Sequence, residues 1–486
     1  MQLGQVFYKP EHAWVGDLIP YYEDGVYYAF YLHDPRKEKK IYAEETTWHL
    51  VTTQDCFHFQ EHGPALKIGL EADLYSNCYT GSIIKDGQGF YYAFFTGLNS
   101  NENDDELPIQ NVMFAKGKSL YNLKIEKNFQ LLADDIRYDK HNWRDPYVFY
   151  NEQDSCYWML ICSRLKNESY HRGGCIALCK STDLVNWSYE EPFYAPNIFI
   201  APECPELFQM NDYFYLVYST FSDRFVTHYL VSKSINGPWT MMEEDSFDSR
   251  ANYAIKSASD GERRFAFSWI ATKYENSDYG EWEWGGAMVV NEIVQEPDTG
   301  KLNLIPTTAM LSEFSEKINL PLKQKINVQN DGTIISSNGL GAFLWDVEEA
   351  DYLIDCTIHE NQSHEFGIFL NTDAELEQGY QLRFQRNTMS FDLWPRVPEF
   401  GVYQWQIAGD IPFQIETLRI LKPSSSYRIR IIREGTIVAV YVNDDNVLSH
   451  RLYNKDPGKI GIYVVNGSIA IDLFDIYRKN KRRELL

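Results

Sequence analysis

Five short segments in which aromatic and aliphatic side chains crowd together recur through the first three hundred positions: residues 27–31, 91–95, 157–161, 214–218 and 264–268. Each follows a cluster of turn formers: Glu23-Asp24-Gly25, Lys85-Asp86-Gly87, Asn151-Glu152-Gln153-Asp154, Asn211-Asp212 and Asp260-Gly261. Apolar runs entered through Asn, Asp and Gly are the signature of β-hairpins. A second element recurs behind them, in residues 176–187 and 229–239, with a looser copy at 42–59. The repeating unit is therefore several antiparallel strands closed by a turn, renewed every 50–65 residues or so, with no amphipathic helical period between copies. Radial repetition of small sheets predicts a β-propeller, and five units predict five blades. Alternating segments also run from about residue 326, including 366–370, 380–384 and 437–443. The expected architecture is all-β: a propeller over 1–305, a linker over 306–325 and a C-terminal β-sandwich over 326–486.

Composition narrows the function. A chain of 486 residues exceeds one ordinary core. A formal net charge of −24 repels phosphate backbones, which argues against nucleic acid as partner. Its N-terminal residues have no basic and apolar leader pattern, and no apolar run approaches a membrane span. The eight cysteines show no CxxC spacing. These features give the expectation of a cytoplasmic protein without membrane attachment, metal or cofactor. Aromatic residues make up 15% of the chain, which suits strands first and sugar stacking second.

The strand that opens each unit would line the central channel. It begins at Gly16-Asp17-Leu18, Gly81-Ser82-Ile83, Arg144-Asp145-Pro146, Pro202-Glu203-Cys204 and Tyr253-Ala254-Ile255. Asp17, Asp145 and Glu203 precede their aromatic strands by 10, 12 and 11 residues, a near-common offset that predicts equivalent positions on three blades. Three acids on one ring repel one another unless they face water or a ligand, so they are the candidate catalytic group. Arg144 is expected to grip a carboxylate bidentately. Trp14, Trp48 and Trp284 are candidate ligand-stacking walls, each equally suited to blade packing, and Tyr79 and Ser82 are candidate ligand contacts.

With these motifs the chain resembles glycoside hydrolase family 32, the family of invertases, inulinases and levanases. Arg144-Asp145-Pro146, Glu203-Cys204-Pro205 and Ser181-Thr182-Asp183-Leu184-Val185-Asn186-Trp187 match the family's patterns, and Trp284-Gly285-Gly286-Ala287 resembles its last blade. The first motif differs: Gly16 stands in place of an Asn, and Leu18-Ile19-Pro20 in place of Pro-Asn-Gly. The resemblance implies retaining hydrolysis of a small fructose-containing sugar, with Asp17 as nucleophile, Glu203 as acid/base and Asp145 stabilising the cationic transition state. Three other readings stay open: a fructosyltransferase or fructan-anhydride-forming enzyme, an arabinanase- or xylosidase-like furanosidase, and a non-catalytic sugar-binding protein. For the sandwich, bracing the propeller and forming a homodimer both stay open.

Overall fold

The computed structural model describes residues 2–35, 46–67, 69, 75–98, 109–328, 334–394, 417–454 and 458–480. The chain folds into two compact units, residues 1–247, 252–269 and 285–302 in one, and 248–251, 270–284 and 303–486 in the other.

The first unit carries the five-bladed propeller. The blades open with Trp14–Glu23, Asn77–Lys85, Tyr138–Asn151, Glu203–Met210 and Asn252–Ser259. Their second strands are Val26–Asp34, Tyr91–Leu98, Cys156–Leu165, Tyr213–Thr220 and Arg264–Lys273, each containing one of the aromatic segments. Successive strands pair antiparallel within each blade. Val15 of the first blade pairs with Gly286 on Trp282–Gln295 of the fifth, so the ring closes.

Strand periodicity explains why these segments are apolar at nearly every position. On Cys156–Leu165, Met159 and Ile161 pack with Phe94 and Phe114 of the second blade, while Trp158 and Leu160 pack with Leu207, Leu216 and Leu230 of the fourth. One strand feeds two cores from its two faces, so alternation of polar and apolar residues gives way to continuous burial. The blade signature is a turn with a defined cause. Ser181 Oγ accepts from Leu184 N–H at 2.9 Å, and Asp183 Oδ1 accepts from Val185 and Asn186 N–H at 2.9 and 2.7 Å. The same turn recurs in the first blade, where Thr53 Oγ1 accepts from Cys56 N–H at 2.9 Å and Asp55 Oδ1 from Phe57 and His58 N–H at 3.0 and 2.8 Å. Short polar side chains are the residues that satisfy backbone donors in this way.

In the second unit, the 20-residue strand Lys459–Arg478 belongs to both layers of a sandwich. Its first part pairs with Ile334–Asp346 and Glu365–Thr372, and its second part with Tyr352–Asn361. Asn466 (φ +48°) and Gly467 (φ +155°) make the bend between the two. Ile354, Ile368, Ile429, Val440 and Ile462 fill the space between the layers. Residues 306–325, expected as a linker, instead carry the helix Thr308–Ser312 and two strands, Glu316–Ile318 and Gln324–Ile326, that pair with Lys459–Arg478 and Ile334–Asp346. Strands of three residues are too short to show a period. Among the described residues no helix is long and apolar enough to cross a membrane.

Candidate active site

The opening strands share a defect that creates the site. In the first blade the ladder steps from Val15/His33 to Leu18/Tyr31, in the third from Arg144/Cys162 to Tyr147/Leu160, and in the fourth from Glu203/Ser219 to Glu206/Val217. In the second it steps from Tyr79/Thr96 to Gly81/Phe95, leaving Thr80 as the extra residue. Each is a β-bulge, which bends the strand and re-aims side chains at the rim of a closed sheet. Asp145 and Cys204 sit in these bulges with φ of +59° and +50°, and Ala254 of the fifth blade has φ +54°. Such values are uncommon outside glycine, and here they fall on the opening strands of three blades.

The bulges correct the expectation of equivalent positions. Asp145 is the first of the two bulged residues in its blade, Asp17 is the second in its own, and Glu203 immediately precedes the bulge. The acids are staggered by one residue from blade to blade, yet hydrogen bonds bring them together. Cys204 N–H donates to Asp145 Oδ2 at 2.9 Å, and the Cys204 thiol points at Asp17 Oδ2 from 3.7 Å. Asp17 Oδ1 accepts from the Trp269 indole at 2.9 Å, and Oδ2 accepts from the Thr80 hydroxyl. Asp145 N–H donates to Thr96 Oγ1 at 2.8 Å, and Thr96 in turn donates to the Thr80 carbonyl at 3.0 Å. Glu203 Oε1 accepts from Arg144 Nη2 at 3.0 Å and Oε2 from the Tyr253 hydroxyl at 2.7 Å.

Arg144 does not grip one carboxylate with both arms. Nη2 holds Glu203, Nε lies 3.9 Å from Asp145 Oδ2, and Nη1 reaches Gln110 Oε1 at 3.3 Å. It therefore spans two acids and fixes their separation.

Burial pushes the Asp17 carboxyl above its ordinary value and the charge of Asp145 pushes it further, while Thr80, Trp269 and the Lys256 ammonium oppose the rise. Burial also raises Glu203. There Arg144 opposes and Asp145 reinforces the rise, and the Tyr253 hydroxyl opposes it. Among the described residues no group of three or more His, Cys, Asp or Glu side chains could hold a metal ion.

Other candidates have different places. Trp48 is fully buried and its indole donates to the Tyr79 carbonyl at 2.8 Å, so it packs the blade and offers no wall to a ligand. The Ser82 hydroxyl is spent between the second and third blades, donating to Pro146 O and accepting from Val148 N–H, both at 2.9 Å. Tyr79 is half-buried, as is Trp14, whose ring carries Lys9 Nζ at 4.6 Å. Trp284 is half-buried and falls in the second unit.

Sequence did not single out several residues that support the acids: Thr80, Thr96, Tyr253, Lys256 and Trp269. Gly81 belongs with them, because a Cβ there would lie 1.8 Å from the Phe94 carbonyl oxygen. Gly81→Ala is expected to cost about 3 kcal/mol or more of stability, read as a lower urea midpoint at unchanged m-value. A midpoint within error of wild type would show that the bulge relaxes freely.

The model of the glycosyl hydrolases family 32 N-terminal domain matches residues 7–306, more than half of the chain. The chain belongs to this family. A sucrose-6-phosphate hydrolase of Escherichia coli is 23% identical over 96% of this chain and 93% of its own length. Another, of Vibrio alginolyticus, is 28% identical over 35% of this chain, a stretch that spans 33% of that relative. Among solved structures, sucrose-6-phosphate hydrolase from Lactobacillus gasseri superposes with a TM-score of 0.73 at 18% identity, over 98% of this chain and 93% of that one. Fructan 1-exohydrolase IIa from Cichorium intybus gives 0.73 at 15%, over 98% and 97%. A family-32 member of this kind is a fructofuranoside-hydrolysing glycoside hydrolase of the β-fructofuranosidase type. In this member Leu18 and Ile19, the second of which stands in place of an Asn, are buried in the first blade, and Gly16 occupies the bulge beside Asp17.

Proposed function

We propose that the chain is a retaining hydrolase of small fructofuranosides in which Asp17 attacks the anomeric carbon and Glu203 first protonates the leaving oxygen and then deprotonates water. The observation that carries this reading is that the two carboxyls converge around Asp145 and its neighbours, each held by different partners. Asp17 accepts from two neutral donors, the Trp269 indole and the Thr80 hydroxyl, which aim its charge without neutralising it. Glu203 sits between Arg144 and the Tyr253 hydroxyl, and burial raises its pKa as it raises that of Asp17. A nucleophile must be ionised and a general acid must hold a proton. Asp145, anchored by the Cys204 N–H, is placed to face positive charge developing on the sugar ring.

The test is product release from sucrose, sucrose 6-phosphate, 1-kestose, levan oligosaccharides and arabino-oligosaccharides, with the anomer of the first-formed product followed by NMR. Fructose released with its configuration retained supports the reading. Inverted product, pentose release, or transfer products in place of free fructose would each overturn part of it.

The pH dependence has a definite sign. Activity needs Asp17 ionised, and its pKa is raised, so the acid limb lies above the range of an ordinary aspartate. Activity also needs Glu203 protonated, and its raised pKa carries the alkaline limb upward as well. A bell-shaped kcat/KM profile is expected with both limbs displaced to higher pH, its two apparent values belonging to the coupled pair. A profile whose acid limb falls at ordinary carboxylate values would contradict the burial of Asp17.

A further inference from the structure

Lys256 is a lysine where lysines are rarely found. It lies on the opening strand of the fifth blade with only 3% of its surface exposed. Its ammonium donates to the Gly81 carbonyl of the second blade at 2.7 Å, and Nζ lies 5.7 Å from the Tyr147 ring centroid of the third. Blades five and two are not neighbours in the ring, so the side chain reaches across the channel. The carbonyl it holds follows Thr80, the bulged residue whose hydroxyl donates to Asp17. An isolated buried ammonium is strongly disfavoured unless nearby negative charge compensates it.

The surroundings supply that charge. Facing Asp17 are Asp145, the Cys204 thiol, the Tyr253 hydroxyl and Lys256 itself. Arg144 links Asp145 to Glu203, which also accepts from the Tyr253 hydroxyl. Glu206 faces Lys256 from the fourth blade; it is 1% exposed, accepts from Ser257 N–H and Oγ at 2.8 and 2.6 Å, and has Arg264 at 3.7 Å. Four carboxyls thus share the interior with three cations, and Lys256 among them favours the charged form of Asp17.

We propose that Lys256 is a positioning residue for the reaction: by bridging the channel to the Gly81 carbonyl it holds Thr80 against Asp17, and it sets a positive charge in the interior that the attacking carboxyl shares. This rests on Asp17 as the nucleophile. It is tested without turnover by the indole ¹H–¹⁵N resonance of Trp269, which donates to Asp17 and is assigned by its loss in Trp269→Phe.

In full-length protein the pH titration of that resonance is compared among wild type, Lys256→Met, Lys256→Gln and Lys256→Arg. The neutral variants are expected to move the midpoint up by about one pH unit, a tenfold loss of acidity, and the arginine variant to stay near wild type. The acid limb of kcat/KM on sucrose is expected to move with it, while KM changes little. An unmoved midpoint in a folded neutral variant would overturn the proposal. So would failure of both neutral variants to fold, since Lys256 would then be a structural brace. Wild type inert on every sugar, with the titration still shifting, would sink the hydrolase reading and leave the electrostatic role of Lys256 standing.

Discussion

Asp17→Asn is expected to lower kcat by roughly 10⁴-fold or more while leaving KM and the fold nearly unchanged. The amide is the same size as the carboxylate and its oxygen still accepts from one of the two donors, Trp269 Nε1 or Thr80 Oγ1. It cannot form the covalent glycosyl ester on which retention depends. Charge and stability act here in opposite directions. Burial and the charge of Asp145 raise the Asp17 pKa, so the folded state binds its proton more tightly than the unfolded chain does. A group of that kind costs stability once pH rises through its folded value, and a neutral amide removes the cost. The variant should therefore unfold at the same temperature as wild type or a higher one at pH 7, the pattern of a residue kept for chemistry at the expense of stability. Residual activity above about 1% in a folded Asp17→Asn protein, far beyond what loss of a nucleophile permits, would remove Asp17 from that role.

The propeller was readable because its information is local and repeated. Each blade announces itself by a polar turn and an aromatic strand, as at Asp86–Gly87 before Tyr91–Leu98, and five copies reinforce one another. The acids were readable for the same reason, since they open the repeat. Their stagger was not, because a bulge adds a residue without changing composition: nothing in Gly16-Asp17 or Cys204-Pro205 states which residue lacks a partner. The supporting residues were hidden by a different cause. Trp48 and Trp269 are both fully buried tryptophans on second or third strands, and only tertiary contact shows that one donates to a backbone carbonyl and the other to Asp17. The fifth opening strand was recognised at Tyr253-Ala254-Ile255 but carries no acid to mark it as part of the site, yet it supplies Tyr253 to Glu203 and Lys256 to the channel.

Glu203→Gln separates the two halves of the mechanism. On sucrose or 1-kestose, whose leaving groups are alkoxides, loss of the general acid is expected to lower kcat by about 10²- to 10⁴-fold. Glutamine keeps one oxygen to accept from Arg144 or from the Tyr253 hydroxyl, so the site should remain assembled. An aryl fructofuranoside such as 4-nitrophenyl β-D-fructofuranoside needs no proton on departure, and its first step should run at close to the wild-type rate. The second step still needs a base to activate water, so nitrophenol should appear as a burst followed by slow turnover. Azide, which attacks without losing a proton, should then speed turnover and give a fructosyl azide of retained configuration. Asp17→Asn should show neither the burst nor this rescue, because it never reaches the covalent state. A Glu203→Gln protein equally slow on the aryl substrate, with no burst and no response to azide, would mean that Glu203 positions Arg144 and Tyr253 rather than moving a proton, and the acid would have to be sought elsewhere on the ring.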